Sequence, residues 1–145
     1  MRVLVVCTGN SCRSQMAEAF LKDFDPSIEV LSAGVLPEKQ VSPYTIRIMN
    51  EAFIDIANNR TKSVESCLYM NFDYLITLSN YSKEKCSKLK GKVRNMVHIP
   101  VEDPAEAIGT EEAILEKYRE VRNQIKFEMF DFYLNTIKSV KNNAV

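Results

Sequence analysis

The sequence predicts an α/β fold of three layers, a four-stranded parallel sheet with helices on both faces. Three observations carry that expectation. Four short runs that read as strands, the first of them rich in β-branched residues, alternate with stretches of helical periodicity, the pattern of strand–helix–strand units. The first run is apolar at every position, which suits a strand covered on both faces rather than on one. A long amphipathic helix closes the chain and supplies an apolar stripe to cover such a sheet.

The elements follow in order. Residues 3–6, Val-Leu-Val-Val, form the first strand, which ends at Cys7. Thr8-Gly9-Asn10-Ser11 carries turn chemistry. From Ser14 onward Met16, Phe20 and Phe24 recur at four-residue intervals and mark an amphipathic helix that closes at Asp25-Pro26. Residues 28–32 read as the second strand, stopped by Ala33-Gly34, and Ser42-Pro43 starts a helix running to about Glu51. Residues 73–78 form the third strand, followed by a polar helical stretch, and residues 94–99 the fourth, ending at Pro100.

The C-terminal helix is expected over about 110–139. Thr110 can cap it, Glu111 and Glu112 suit its positive end, and Ile114, Tyr118, Val121, Ile125, Met129 and Phe132 form one stripe facing the sheet. Phe127, Phe130, Tyr133 and Leu134 add apolar surface outside that stripe and are read as wider core contact in preference to a self-association face.

With 145 residues the chain fits one compact domain, 1–145, whose core needs no disulfide or structural metal. An apolar fraction of 46% and a charged fraction of 26% fit an ordinary globular protein and argue against disorder and against a membrane protein. Nineteen basic residues balance nineteen acidic ones, so the broad positive field of a nucleic-acid binder is missing. A local exception is the segment 83–94, where Lys83, Lys85, Lys88, Lys90, Lys92 and Arg94 face only Glu84; it is read as a solvated face, with docking of an acidic partner as the alternative. The apolar N-terminal run is too short for a signal peptide core or a membrane span. The expected location is the cytoplasm, where the cysteines at 7, 12, 67 and 86 stay reduced as thiols available for chemistry.

In Cys7-Thr8-Gly9-Asn10-Ser11-Cys12-Arg13-Ser14 a cysteine and an arginine are separated by five residues, where a buried strand gives way to a helix. Ligands of open parallel sheets bind beyond the carboxyl ends of the strands, and a helix N-terminus offers unpaired N–H groups with partial positive charge. Residues 7–14 are therefore the expected anion-binding loop, with Thr8, Gly9, Asn10, Ser11, Cys12, Arg13 and Ser14 around the ligand. Gly9 and Asn10 tolerate the left-handed conformations that turn successive N–H groups inward. The planar fork of Arg13 matches two oxygens of a tetrahedral anion, which a lysine cannot do. Cys7 sits at the centre, where the helix end, the amides, Arg13 and the Ser14 hydroxyl all favour a nucleophilic thiolate.

The run Val6-Cys7-Thr8-Gly9-Asn10-Ser11-Cys12-Arg13-Ser14-Gln15-Met16-Ala17-Glu18 resembles the signature of the low-molecular-weight protein tyrosine phosphatases and of the arsenate reductases that share their fold. Ser32-Ala33-Gly34 and His98-Ile99-Pro100-Val101-Glu102-Asp103-Pro104-Ala105 agree with it, and the resemblance extends to about Lys126. It implies an arsenate or phosphate oxyanion as substrate, attacked by Cys7; no cofactor is expected. The leaving oxygen needs a proton, which a carboxylic acid can supply. Asp103 is the candidate, in a Pro-flanked loop after the last strand and so on the same rim of the sheet as Cys7. In the family the matching Asp-Pro has this role, and the competing reading is a plain turn before Pro104. His98, the only histidine, is read as a satisfied strand-end residue without a catalytic role.

Within the family two features resemble the thioredoxin-coupled arsenate reductases more than the phosphatases. One is the wording Cys-Thr-Gly-Asn-Ser-Cys-Arg-Ser-Gln. The other is Ala105 after Asp103-Pro104, where the phosphatases place aromatic residues that sandwich a phosphotyrosine ring. Those reductases pass electrons to a second cysteine just after the third strand and then to a third. Here Ser79 follows Leu78 and Cys86 stands at the third position, so the relay is rerouted or absent. Cys86, Cys12, thioredoxin or a low-molecular-weight thiol is left to resolve the Cys7 adduct, and Cys67 is read as buried and structural. The alternatives are a low-molecular-weight protein tyrosine phosphatase acting through a cysteinyl-phosphate, and a phosphate-sensing binding module. The family's potassium-binding pattern would include Asn10, Glu18 and Ser32, but its acidic member appears as Ser63, so no metal site is expected.

Overall fold

A computed structural model of the chain describes residues 1–89 and 91–143. Lys90 of the basic segment and positions 144–145 lie outside the described residues. Four parallel strands, β1 (Arg2–Cys7), β2 (Glu29–Gly34), β3 (Phe72–Thr77) and β4 (Val93–His98), form one sheet in the order β2-β1-β3-β4. Its helices are α1 (Arg13–Phe24), α2 (Pro43–Glu51), α3 (Asn80–Cys86) and α4 (Glu111–Phe132). The α/β class and the layering are as the sequence predicts.

The all-apolar first run has its explanation in the two faces of β1. Val3, Val5 and Cys7 join a core cluster with Met16, Phe20 and Ile125, while Leu4 and Val6 join a second cluster with Val64, Cys67, Leu75 and Cys86. Val3 through Val6 are wholly buried, so neither face of the strand tolerates a polar residue. On the first face α1 packs on β2 and α4, and α2 packs on α4; on the second, α3 packs on β3 and β1. β1 lies between β2 and β3, so the connections leaving it run to opposite sides, and the crevice beyond the ends of β1 and β3 is a topological switch point.

Helix α4 starts as expected, with Thr110 Oγ1 accepting from the Ala113 N–H at 3.1 Å. Its buried stripe is Leu115, Tyr118, Val121, Ile125, Met129 and Phe132. Leu115 takes the place expected of Ile114, which is only half-buried, because Leu115 and Tyr118 share the face one turn before Val121. Phe132 meets the sheet edge-on against Tyr74, ring centroids 5.5 Å apart. The expectation that Phe127, Phe130 and Leu134 are core fails: they are 69%, 46% and 38% exposed. Phe127 and Phe130 lie on the outer side of α4, where Phe130 meets Phe24 edge-on, and Leu134 lies just beyond the helix. Beyond α4 the chain widens into a π-helical turn, Tyr133–Lys138, and then α5 (Ser139–Asn143), so the helical path continues past 139. Lys83, Lys85, Lys88, Lys92 and Arg94 are exposed, and among the described residues no helix is long and apolar enough to cross a membrane.

The chain end is strapped to the loop after α1. Lys141 Nζ lies 2.7 Å from Asp25 Oδ2, and the Tyr133 hydroxyl donates to the same oxygen at 3.2 Å. Hydrogen bonds from Lys141, then from Ser27, hold the Asp25 carboxyl well below the usual carboxylate range. A depressed carboxyl contributes stability that is present above its unfolded value and lost as pH falls toward its folded one. Lys141→Ala is therefore expected to lower the urea midpoint at neutral pH, and the gap to wild type should narrow progressively below about pH 4. A gap that stayed constant down to the acid limit would show that the strap acts through packing alone.

Candidate active site

Between Cys7, the last residue of β1, and Arg13, the first of α1, the chain wraps into a loop at the switch point. Asn10 makes the wrap. It is wholly buried, its φ of 57° lies in the left-handed region that asparagine tolerates, and its carboxamide is used at both ends. Nδ2 donates to Ser14 Oγ at 2.8 Å and Ser32 Oγ at 3.0 Å. Oδ1 accepts from the Lys62 backbone N–H at 2.8 Å and from Gln15 Nε2 at 3.3 Å. Gln15, wholly buried, also donates to the Asn10 carbonyl at 3.2 Å. Sequence reading gave Gln15 no role, although a long polar residue on the buried face of the first helical turn was the available signal.

The sulfur sits among donors. Cys7 Sγ is 3.2 Å from the Asn10 backbone nitrogen, which donates to it, and 2.9 Å from Ser14 Oγ. Because Ser14 Oγ already accepts from Asn10 Nδ2, its own hydrogen is available to Cys7. The sulfur is thus held by two contacts from the loop and the first helical turn.

The chain leaving β2 clamps this loop from outside. The N–H groups of Val35, Leu36 and Glu38 donate to the carbonyls of Cys7, Thr8 and Gly9 at 3.3, 2.9 and 2.9 Å. Gly34 permits the approach: a Cβ there would lie 2.8 Å from Thr8 O, 2.9 Å from Gly9 C and 3.0 Å from Asn10 N, all backbone atoms.

Arg13 closes the ring. It is 7% exposed; its Nη1 donates to the Val101 carbonyl at 3.0 Å and its Nη2 stands 3.5 Å from Asp103 Oδ2. The other Asp103 oxygen, Oδ1, accepts from the Ala105 N–H at 3.0 Å and caps the short 3-10 turn Pro104–Glu106. Turn starter and rim carboxylate are thus two ends of one side chain. A cavity of about 540 Å³ opens here, walled by Thr8 and Arg13, by Ser79 and Asn80 at the start of α3, and by residues from Pro100 to Asp103. Among the described residues no aromatic side chain lines it.

Of the residues singled out by sequence, Cys7, Arg13, Ser14, Asp103 and the loop from Thr8 to Cys12 come together. Cys86 does not. It is 1% exposed in the core cluster on the opposite face of the sheet, and burial pushes its thiol up to about 11. Cys67 lies in that same cluster, as expected of a structural residue. Cys12 lies against α4, its Sγ 3.8 Å from the Tyr118 hydroxyl, and burial raises its thiol. Ser79, at the position where the resemblance implies a relay cysteine, is at the mouth. Its hydroxyl is 3.0 Å from Thr8 Oγ1 and forms a capping box with Ser82 that starts α3. Glu18 is paired with Lys22 at 3.2 Å, and among the described residues no group of three or more His, Cys, Asp or Glu side chains is arranged to hold a metal.

Residues 2–144 match the family described as low molecular weight phosphotyrosine protein phosphatase. The chain is similar to the arsenate reductase of Bacillus subtilis (strain 168), 34% identical over 131 residues that make up 90% of this chain and 93% of that one. It is also similar to the arsenate reductase of Shouchella clausii (strain KSM-K16), 36% identical over 124 residues, 85% and 88% of the two chains. Among solved structures it superposes on an arsenate reductase in the phosphate binding state with a TM-score of 0.72 at 31% identity, covering 90% and 95% of the two chains. The YwlE arginine phosphatase from Geobacillus stearothermophilus, at TM-score 0.79 and 23% identity over 98% and 96% of the chains, shares the fold.

The approach at Gly34 yields a direct expectation. Gly34→Ala forces a methyl group against three backbone atoms of the loop and should cost about 1–3 kcal/mol of stability, as overpacking does. It should also lower activity beyond what the loss of folded protein explains. Chemical denaturation and assay of the folded fraction check both, and a variant with wild-type stability and turnover would show that β2 does not fix the loop.

Proposed function

We propose that this chain, which belongs to the low molecular weight phosphotyrosine protein phosphatase family, is a thiol-dependent arsenate reductase acting through Cys7. The observation that carries the reading is the cavity above Arg13: it offers a carboxylate and a guanidinium to a small oxyanion and no ring to a phosphotyrosine. The relatives named arsenate reductase support it.

In this reading the Cys7 thiolate attacks arsenate while the loop amides and Arg13 hold three of its oxygens. An S–As bond forms, and the fourth oxygen, protonated by Asp103, leaves as water. A second thiol then attacks Cys7 Sγ. An S–S bond forms, the S–As bond breaks, its electron pair stays on arsenic, and arsenite departs. Free cysteines suit a reducing compartment, and the cytoplasm is the location that fits.

A second reading is favoured by Ser79. A hydroxyl at the relay position cannot form a disulfide, whereas a phosphatase needs none: the same adduct with phosphorus in place of arsenic is opened by water. Arsenite release and hydrolysis of an aryl phosphate, measured on the same preparation, separate the two.

Both readings predict that Cys7→Ser abolishes turnover. Arg13→Lys, which keeps the charge but loses the fork, should lower kcat/KM by about 10²–10³-fold. Asp103→Asn should slow poor leaving groups by about 10²–10⁴-fold and good ones far less. Equal losses on good and poor leaving groups would remove Asp103 as the acid, and an active Cys7→Ser enzyme would remove the covalent route altogether.

A further inference from the structure

The two faces of the sheet are covered unequally. One carries α1, α2 and α4; the other carries α3, seven residues long, and two 3-10 turns, Val64–Cys67 and Ser87–Leu89. So thin a layer does not seal the sheet, and Leu31, Val35, Leu68, Met70 and Leu89 stay only partly buried around the second core cluster.

A cavity of about 310 Å³ opens in that layer, between the chain leaving β2, the Val64–Cys67 turn and α3. It shares no lining residue with the cavity beside Arg13. Its walls are largely apolar, built by Val35, Leu36, Val64, Leu68 and Leu89 with Tyr81. Leu36 is 60% exposed there and Tyr81 39%.

The charges around it are mostly of one sign. Lys85 and Lys88 line the cavity against a single carboxylate, Glu65, and neither lysine makes an ion pair among the described residues. Lys85 Nζ stands 5.4 Å from the centroid of the Tyr81 ring, which holds its charge at this site. Lys83, Lys92 and Arg94, all exposed, add to the same field, with Glu84 opposing it. The volume lies at the lower end of the range of small-molecule sites, about 300–1,000 Å³, so the complementary ligand is small. An apolar cleft beside unpaired ammonium groups fits an apolar body that ends in an anion.

We propose that this cavity is a second binding site, separate from the anion loop, for a small amphipathic carboxylate. Its aliphatic or aryl body lies against Leu36, Leu68 and Leu89, and its carboxylate meets Lys85 and Lys88. The body supplies most of the affinity and the lysines select the sign of the charge. A bare tetrahedral anion lacks the apolar body and is not a ligand here. The site uses none of the residues of the anion loop and goes beyond either reading of that loop.

The test is a calorimetric titration of the whole protein with butyrate, hexanoate and octanoate. Binding at one site should tighten by up to about 4-fold for each added CH₂. Octanamide, of the same shape without the charge, should bind about 2- to 30-fold more weakly than octanoate, the worth of two exposed ion pairs. The double variant Lys85→Gln, Lys88→Gln should bring octanoate down to the affinity of octanamide and leave octanamide unchanged. Leu36→Asp, which places a carboxylate on the cavity wall, should abolish octanoate binding. Phe127→Asp, on the outer side of α4, should leave it unchanged, and saturating phosphate should not displace it. The proposal is overturned by absence of octanoate binding, by equal affinity for octanamide, by displacement with phosphate, or by binding that is lost in Phe127→Asp and kept in Leu36→Asp. None of these outcomes touches the reading of the anion loop, which arsenite release and aryl phosphate hydrolysis decide.

Discussion

The anion loop depends on one buried carboxamide. Asn10 adopts a backbone conformation that most side chains resist, and its side chain then satisfies two hydroxyls, a backbone N–H and a neighbouring amide. A buried polar group left without partners costs about 1–3 kcal/mol, so each contact is held in place by the cost of losing it. Glycine would accept the φ value and lose the network; other residues would keep a side chain and strain the turn. The same hub orients Ser14, and through Ser14 the donors around Cys7. Backbone conformation, loop shape and the placement of the sulfur are therefore one arrangement.

Much of this was legible in the chain. A strand covered on both faces must be apolar at consecutive positions, so residues 3–6 announced a central strand, and a cysteine and an arginine flanking turn residues announced an anion loop. The Pro after Asp103 marked the opposing rim. What stayed hidden depends on which distant segments meet. The contact that demands glycine at 34 is made by backbone atoms more than twenty residues away in sequence. The exchange of Ile114 for Leu115 is a matter of helical phase, which a stripe of mixed apolar residues does not fix to the residue. Phe127, Phe130 and Leu134 were misjudged because hydrophobicity marks what can be buried, and a folded surface keeps much apolar area regardless.

Ser79 illustrates how stability and mobility compete at one position. Its hydroxyl starts α3 and ties it to the loop, which suits a helix that stays folded through the reaction. A thiol caps a helix poorly, and a cysteine at this position would seat α3 less firmly.

The π-helical turn at Tyr133–Lys138 acts as a phase shifter. A wide turn contains an extra residue relative to an α-helix, so everything beyond it is rotated by about 100° from where a regular helix would carry it. Ile137, inside the turn, is buried, and Lys141, beyond it, lies on Asp25. The segment therefore uncouples two surfaces of one continuous helical path: residues before the turn are registered to the sheet, and residues after it to the loop behind α1. A change in length confined to the wide turn would re-aim the second surface and leave the first, with the anion loop it supports, undisturbed.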